Sequence, residues 1–221
     1  MKLDKGFWEK VNQRFRTDAF AYPKRLRKLL KAVEAGSAEY DDANTGAPDG
    51  PFIIAIDGRA ASGKSTLAQQ LGELLDADVI HMDDFFLPPA LRTEERLAEP
   101  GGNVHYERFA QEVLPHLKSQ AAFSYRIFDC SKMDYEGERL IKNKSIRIVE
   151  GSYSHHPKFG SYADLFVFSD VDAEEQMRRI CLRNGEEKAQ MFATRWIPME
   201  ERYFTEYEVK KARTHNNIIK I

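Results

Sequence analysis

The chain has 221 residues, enough for one well-buried α/β domain with some length to spare. Hydrophobic residues make up 42% and charged residues 31%, which excludes a disordered or low-complexity chain. A net charge of −2 gives no electrostatic ground for nucleic-acid binding, and no apolar run approaches the ~20 residues that span a bilayer. The N-terminal stretch MKLDKGFWEKVNQRF lacks the apolar core of a signal peptide. Cys130 and Cys181 stand in no CxxC or metal-ligand spacing, so two reduced thiols in a cytoplasmic protein are expected.

Residues 1–36 read as a helical extension. Leu26, Leu29, Leu30 and Val33 recur at helical spacing, with Pro23 placed to open the helix and Gly36 to close it. The basic run Lys24, Arg25, Arg27, Lys28 and Lys31 reads as a solvated face. Residues 41–51, DDANTGAPDGP, are polar and turn-rich. They predict a linker that divides an N-terminal segment (1–50) from a core domain (51–221).

The core alternates strands and helices. Phe52–Ile56 is a short apolar run, as a buried central strand requires, and Lys64–Leu75 carries Leu67, Leu71, Leu74 and Leu75 on one helical side. Asp78–Met82 predicts a second strand. Val104–Leu117 predicts a helix with Phe109, Val113 and Leu117 inward, ended or distorted by Pro115. Ala121–Phe128 and Glu138–Ile141 suggest a hairpin outside the main sheet. Ser145–Val149 and Leu165–Phe168 read as further strands, Asp172–Asn184 and Pro198–Lys211 as helices, and Asn217–Ile221 as a last strand. The pattern predicts an α/β fold: a parallel sheet with helices on both faces, plus the N-terminal helical extension.

Gly58-Arg59-Ala60-Ala61-Ser62-Gly63-Lys64-Ser65 fits GxxxxGK[ST], the Walker A pattern, in full. It follows an apolar strand and opens a periodic helix, which is the setting that phosphate binding requires. Glycines let successive N–H groups turn inward on a phosphate, and the new helix adds its positive end. The loop predicts nucleotide binding by Gly58, Ala60, Ala61, Ser62, Gly63, Lys64, Ser65 and Thr66. Lys64 reaches the β- and γ-phosphates, and the Ser65 hydroxyl ligates Mg²⁺.

Phosphoryl transfer also needs acids at the carboxyl ends of strands. His81-Met82-Asp83-Asp84 offers Asp83 as the base for an acceptor hydroxyl, with a Mg²⁺ role through water. Asp84 is the alternative. Ile146-Arg147-Ile148-Val149-Glu150-Gly151 is an apolar strand ending in an acid, which places Glu150 on the metal side.

GRAASGKST, HMDDFF, IRIVEG and the Arg-bearing helix that follows resemble the uridine/cytidine kinase group of P-loop kinases, whose relatives include pantothenate kinase and phosphoribulokinase. The resemblance covers roughly residues 52–185. It implies ATP, Mg²⁺ and a small-molecule hydroxyl acceptor. It also implies Asp83 as base, Glu150 beside the metal, and Arg179 and Arg183 as lid arginines on one helix face. Planar guanidinium forks suit phosphate oxygens, and Arg178 falls outside that pattern.

On the acceptor side the resemblance points to Asp84, His105, Tyr125 and Lys132. Here His105 stands where the family has an Asp, Cys130 where it has a His, and Lys132 where it has an Arg. The resemblance makes a nucleoside the expected acceptor, and these departures keep a sugar or a pantothenate-like compound open as the alternative. A non-catalytic nucleotide switch would want an NKxD motif, and Asn143-Lys144-Ser145-Ile146 lacks the Asp. His155-His156 reads as a surface loop pair, and the aromatic stretch Trp196–Phe204 as core or interface. A homo-oligomer is compatible with this composition, while nucleic-acid and membrane partners are not expected.

Overall fold

The computed structural model describes residues 3, 5–17, 24–43, 50–211 and 219–221. β1 (Phe52–Gly58) is buried along its whole length, which is why its residues are apolar on both faces. It is flanked by β5 (Ile146–Glu150) and β6 (Leu165–Ser169). Beyond these lie β2 (Asp78–His81) and β7 (Ile219–Lys220), giving a five-stranded parallel sheet in the order β2-β5-β1-β6-β7. β3 (Phe123–Asp129) and β4 (Asp134–Ile141) form the separate antiparallel hairpin that the sequence suggests.

The register brings the functional ends together. Glu150 pairs with Ile56 on one side and with His81 on the other, and Gly58 pairs with Ser169. Four strands, β2, β5, β1 and β6, thus end at one level, where ligands bind in open α/β sheets.

Side-chain alternation splits the core into two layers. Phe52, Ile54 and Ile56 join Ile148 and Val167 on one face. They pack there against α1 (Lys5–Thr17), α2 (Lys24–Ala43) and α3 (Lys64–Leu75) through Trp8, Leu26, Leu29, Val33, Leu67 and Leu71. Ile53, Ala55 and Val149 point to the other face. There they meet α5 (Tyr106–Glu112) through Phe109, which follows the short α4 (Glu94–Ala98), and the late helices through Tyr203 and Phe204. The late helices are α6 (Ala173–Asn184), α7 (Glu186–Met191), a π-helical turn at Phe192–Trp196 and α8 (Ile197–Glu206).

Several expectations change. Gly36 does not end α2, which runs on to Ala43. A Cβ at Gly36 would lie 3.5 Å from the Phe52 ring, an ordinary contact distance, so the helix simply runs through this glycine. Residues 41–43 of the expected linker lie in α2. Pro23, residues 44–49, Asn217 and Ile218 lie outside the described residues. The basic run is not wholly solvated, because Arg25 turns inward, as described below. The Val104–Leu117 helix is shorter than predicted: α5 stops at Glu112, and Pro115 sits in a 3-10 turn, Leu114–His116. Helix also precedes Pro198, which falls in the first turn of α8, and α8 stops at Glu206 rather than Lys211.

β5 carries a fully buried arginine. Arg147 donates to the carbonyls of His116, Leu117 and Ser119 at 2.7, 2.8 and 2.8 Å, and to those of Ala121 and Lys142 at 2.9 and 3.2 Å. Ala121 and Lys142 flank the two ends of the hairpin, so one cation ties the hairpin to the sheet. Burial pulls this guanidinium below its ordinary pKa.

Candidate active site

The phosphate loop runs from the end of β1 into α3. Gly58 has φ 149°, and a Cβ there would sit 2.1 Å from the Ser169 carbonyl oxygen, so only glycine lets the loop leave the sheet so close to β6. Ala61 and Gly63 take left-handed φ values of 57° and 87°, which turns the backbone round before α3 begins at Lys64. Lys64 Nζ donates to the Arg59 carbonyl at 3.2 Å, back across the loop.

The loop is braced on two sides. From behind, Arg25 of α2 donates to the Ser62 carbonyl at 2.5 Å, to Ser169 Oγ at 2.6 Å and to the Ile221 carbonyl at 3.1 Å. Burial is the main cause of its lowered pKa, and Arg179 acts in the same direction. From the front, α8 delivers Glu200, whose Oε2 accepts from Ala60 N–H at 3.0 Å and whose Oε1 accepts from Ser152 Oγ at 2.7 Å. Its neighbour Glu201 pairs with Arg59. Burial raises the Glu200 carboxyl pKa, against the pull of Lys64.

Asp57, the last side chain before Gly58, is fully buried and organises the loop after β5. Its carboxylate accepts from Gly58, Tyr153 and His155 N–H at 2.7, 3.1 and 3.0 Å and from Tyr203 Oη at 2.8 Å. The expectation of a surface His155-His156 pair is overturned here, because both residues are about 1% exposed. His155 Nε2 lies 3.2 Å from the Ala55 carbonyl. His156 stacks on Tyr106, and burial lowers its pKa to about 4.

A cavity of about 600 Å³ opens over the phosphate loop. Its floor is Ala60, Ala61, Gly63, Lys64, Ser65 and Thr66, and its walls include Asp83, Arg179 and Arg183. The structure thus brings together the sequence-predicted loop residues, the expected base and both expected lid arginines. Arg179 Nη1 also donates to the Ala61 carbonyl at 3.2 Å and its Nε pairs with Glu175 at 2.7 Å, while Arg178 stays exposed on Glu175. Gly58 and Ser62 lie beneath the floor.

Asp83 sits on the 3-10 turn Met82–Phe85, exposed between the buried Met82 and Asp84, and lines the cavity. Desolvation by the surrounding protein is the main cause of its raised carboxyl pKa. Lys64 opposes the rise, whereas Glu150 and Asp84 add to it. Glu150, 3% exposed, accepts from Ser65 Oγ at 3.0 Å, and its other oxygen lies 2.5 Å from His81 Nδ1. Ser65, Glu150 and Asp83 form an oxygen-only donor set close to the phosphate floor. Among the described residues no three His, Cys, Asp or Glu side chains gather as a ready cation cage. That set fits Mg²⁺, which keeps most of its shell as water and phosphate oxygen.

The four residues expected on the acceptor side lie elsewhere. Asp84 is buried, accepting from Tyr125 Oη at 2.9 Å and Arg139 Nε at 3.0 Å, and Tyr125 in turn is core. His105 caps α5, accepting from Arg108 N–H at 3.3 Å, and Lys132 pairs with Glu136 at 2.5 Å on the surface. None of the four lines the cavity. In their place stand Phe86, Arg92, Leu97, Asn103, Cys130, Met133, Tyr153, Phe192, Trp196 and Glu200. Sequence reasoning missed most of these because they come from five separate segments. The signal that existed was the Trp196–Phe204 stretch, whose Trp196 and Glu200 reach the cavity.

No protein-family profile matches the sequence. Among curated proteins, a chloroplastic uridine/cytidine kinase of Arabidopsis thaliana is 26% identical over 173 residues, covering 74% of this chain and 35% of that protein. A pantothenate kinase of Ligilactobacillus salivarius is 32% identical over 145 residues, covering 58% of this chain and 46% of that protein. The chain therefore spans less than half the length of either relative. Among solved structures, a possible uridine kinase from Bacillus stearothermophilus superposes with a TM-score of 0.57 at 19% identity, covering 86% of this chain and 99% of that one. A D-glycerate 3-kinase from Cryptococcus neoformans superposes with a TM-score of 0.64 at 15% identity, covering 90% and 96%. These superpositions establish the parallel sheet with flanking helices.

Proposed function

We propose that the chain, which is similar to uridine/cytidine and pantothenate kinases, transfers the γ-phosphoryl group of ATP to a hydroxyl of a small molecule, with Mg²⁺. The observation that carries the reading is the shared cavity, in which the phosphate loop, Asp83 and two helix-borne arginines face one space. The acceptor hydroxyl is oriented by Asp83, attacks the γ-phosphorus in line, and gives its proton to the Asp83 carboxylate. The bond to the β,γ-bridging oxygen breaks and ADP leaves. Lys64, the loop N–H groups, Arg179 and Arg183 carry the charge that develops on the transferring group. Ser65 and Glu150 would hold Mg²⁺, which when bound draws charge from the phosphate oxygens.

Phe86, Leu97, Met133, Phe192 and Trp196 give the remaining wall an apolar and aromatic character, suited to a carbon skeleton or a flat ring. The nucleoside expected from the resemblance has no support from Asp84, His105, Tyr125 or Lys132, all engaged outside the cavity. A panel of nucleosides, sugars and hydroxy acids offered with Mg·ATP, with ADP release followed, tests the reading. At least one acceptor should raise ADP release well above the rate with water alone. A panel that stays at background would count against a kinase.

A further inference from the structure

A third arginine, Arg92, joins Arg179 and Arg183 in the cavity wall. Arg92 closes the 3-10 turn Pro89–Leu91, and its Nε is held by the Leu87 carbonyl at 2.7 Å. That bond fixes the stem of the side chain, so the half-buried fork is presented as a unit. Among the described residues Arg92 makes no ion pair. Of the other two arginines in the cavity wall, Arg179 pairs with Glu175, whereas Arg183 likewise has no carboxylate partner among the described residues and bonds Asn184.

The surroundings of Arg92 place it on the acceptor side. Its neighbour is the Cys130 thiol in the hairpin turn, and that thiol feels both the Arg92 guanidinium and the Asp83 carboxylate. Guanidinium and proposed base therefore flank one side chain. Arg179 and Arg183 belong instead to α6, where Arg179 already touches the phosphate loop. The wall around Arg92 includes Phe86, Leu97 and Met133, and no further carboxylate besides Asp83 and Glu200 faces the cavity. Glu200 is occupied by Ala60 and Ser152. The guanidinium is hydrogen-bonded to the Leu87 carbonyl and to the Cys130 thiol but has no carboxylate partner among the described residues, and a cation so placed at the edge of an apolar wall calls for a planar or tetrahedral anion.

We propose that Arg92 binds an anionic group of the acceptor, a carboxylate or a phosphate, while the acceptor hydroxyl lies at Asp83. The chain then selects hydroxy acids or sugar phosphates over neutral nucleosides and sugars. This rests on the kinase reading for its substrate role, but the anion subsite can be tested without turnover.

The full chain, loaded with Mg·ADP to fill the phosphate loop, would be titrated calorimetrically with matched pairs. These are D-glycerate and glycerol, gluconate and glucose, and ribose 5-phosphate and ribose, with uridine as a neutral nucleoside. At least one anionic member should bind about tenfold or more tighter than its neutral partner. Arg92→Met should abolish that difference and Arg92→Lys should keep part of it, with the ADP affinity of each variant reporting an intact fold. Which pair responds separates carboxylate from phosphate. Where the bound anion is also phosphorylated, Arg92→Met should raise its KM with kcat within about twofold, since the contact is made in ground and transition states alike. Neutral partners that bind equally well, a preference that survives in Arg92→Met, or no Arg92-dependent anion binding at all would each overturn the proposal. Arg92-dependent binding without any ADP release keeps the subsite and sinks the kinase reading instead.

Discussion

The two ends of the cavity are built in different ways. The donor end is one short segment: Gly58 to Thr66 supplies the floor, with the backbone as the binding surface. The acceptor end is assembled from the segment after β2, the segment after α4, the turn of the hairpin and the π-helical turn before α8. A site made of backbone needs only the right turn residues in sequence. A site made of scattered side chains needs the whole fold to be in register. The donor end should therefore respond to local substitutions with uniform losses, and the acceptor end to distant ones with selective losses.

The largest effect is expected from a residue at neither end. Arg147→Met removes five donated hydrogen bonds and leaves buried carbonyls unpaired, which should cost about 3–5 kcal/mol of unfolding free energy. Denaturant unfolding measures this. At a temperature where the variant stays folded, its acceptor KM should suffer more than its ATP KM, because Cys130 and Met133 ride on the hairpin that Arg147 ties down. Equal losses at both ends would erase the distinction.

Lys64→Met should lower kcat by roughly 10²–10³-fold with every acceptor alike, since the lost charge acts on the transferring group. A loss that depends on the acceptor would mean Lys64 also serves the other end. Met133→Ala should do the reverse, raising acceptor KM by roughly tenfold while leaving the ATP KM unchanged, the usual scale for one apolar contact in a pocket.

The smallest effect is a pH limb. Asp83 can take a proton only when ionised, and desolvation together with Glu150 and Asp84 raises its pKa. The acid limb of kcat/KM should therefore lie above the ordinary Asp value of about 3.9, with activity falling as pH drops through it. The sign for stability is opposite. A raised carboxyl pKa means the folded state holds the proton more tightly than the unfolded state, so this group's contribution declines as pH rises through the same window. An acid limb at the ordinary value would place Asp83 in open water.

The legible parts of the chain follow the same division. The apolar strands β1, β5 and β6, the phosphate loop and the acids at strand ends could be read because each is a contiguous pattern. The hairpin was legible too, as two alternating runs. Gly36 misled because a glycine inside a helix looks like a stop, whereas α2 continues through it to Ala43. His155 and His156 misled because their partners are distant in the chain: Asp57 accepts from the His155 N–H, and His156 stacks on Tyr106. Asp84 and Tyr125 hold each other, a contact across 41 positions that no local pattern announces. Arg92 and Glu200 went unread because isolated charges carry no spacing signal. Only the assembled cavity shows that one lacks an ion-pair partner and the other grips the phosphate loop.

The central claim is that the cavity joins a phosphate donor to a hydroxyl positioned at Asp83. Its most direct test is ³¹P NMR of the full chain with Mg·ATP and an active acceptor, comparing the natural sequence with Asp83→Asn. The account predicts that the phosphomonoester resonance appears with the natural sequence and forms roughly 10²–10⁴-fold more slowly in the variant, while ATP affinity stays within about twofold. Product formed at a similar rate by Asp83→Asn would contradict it.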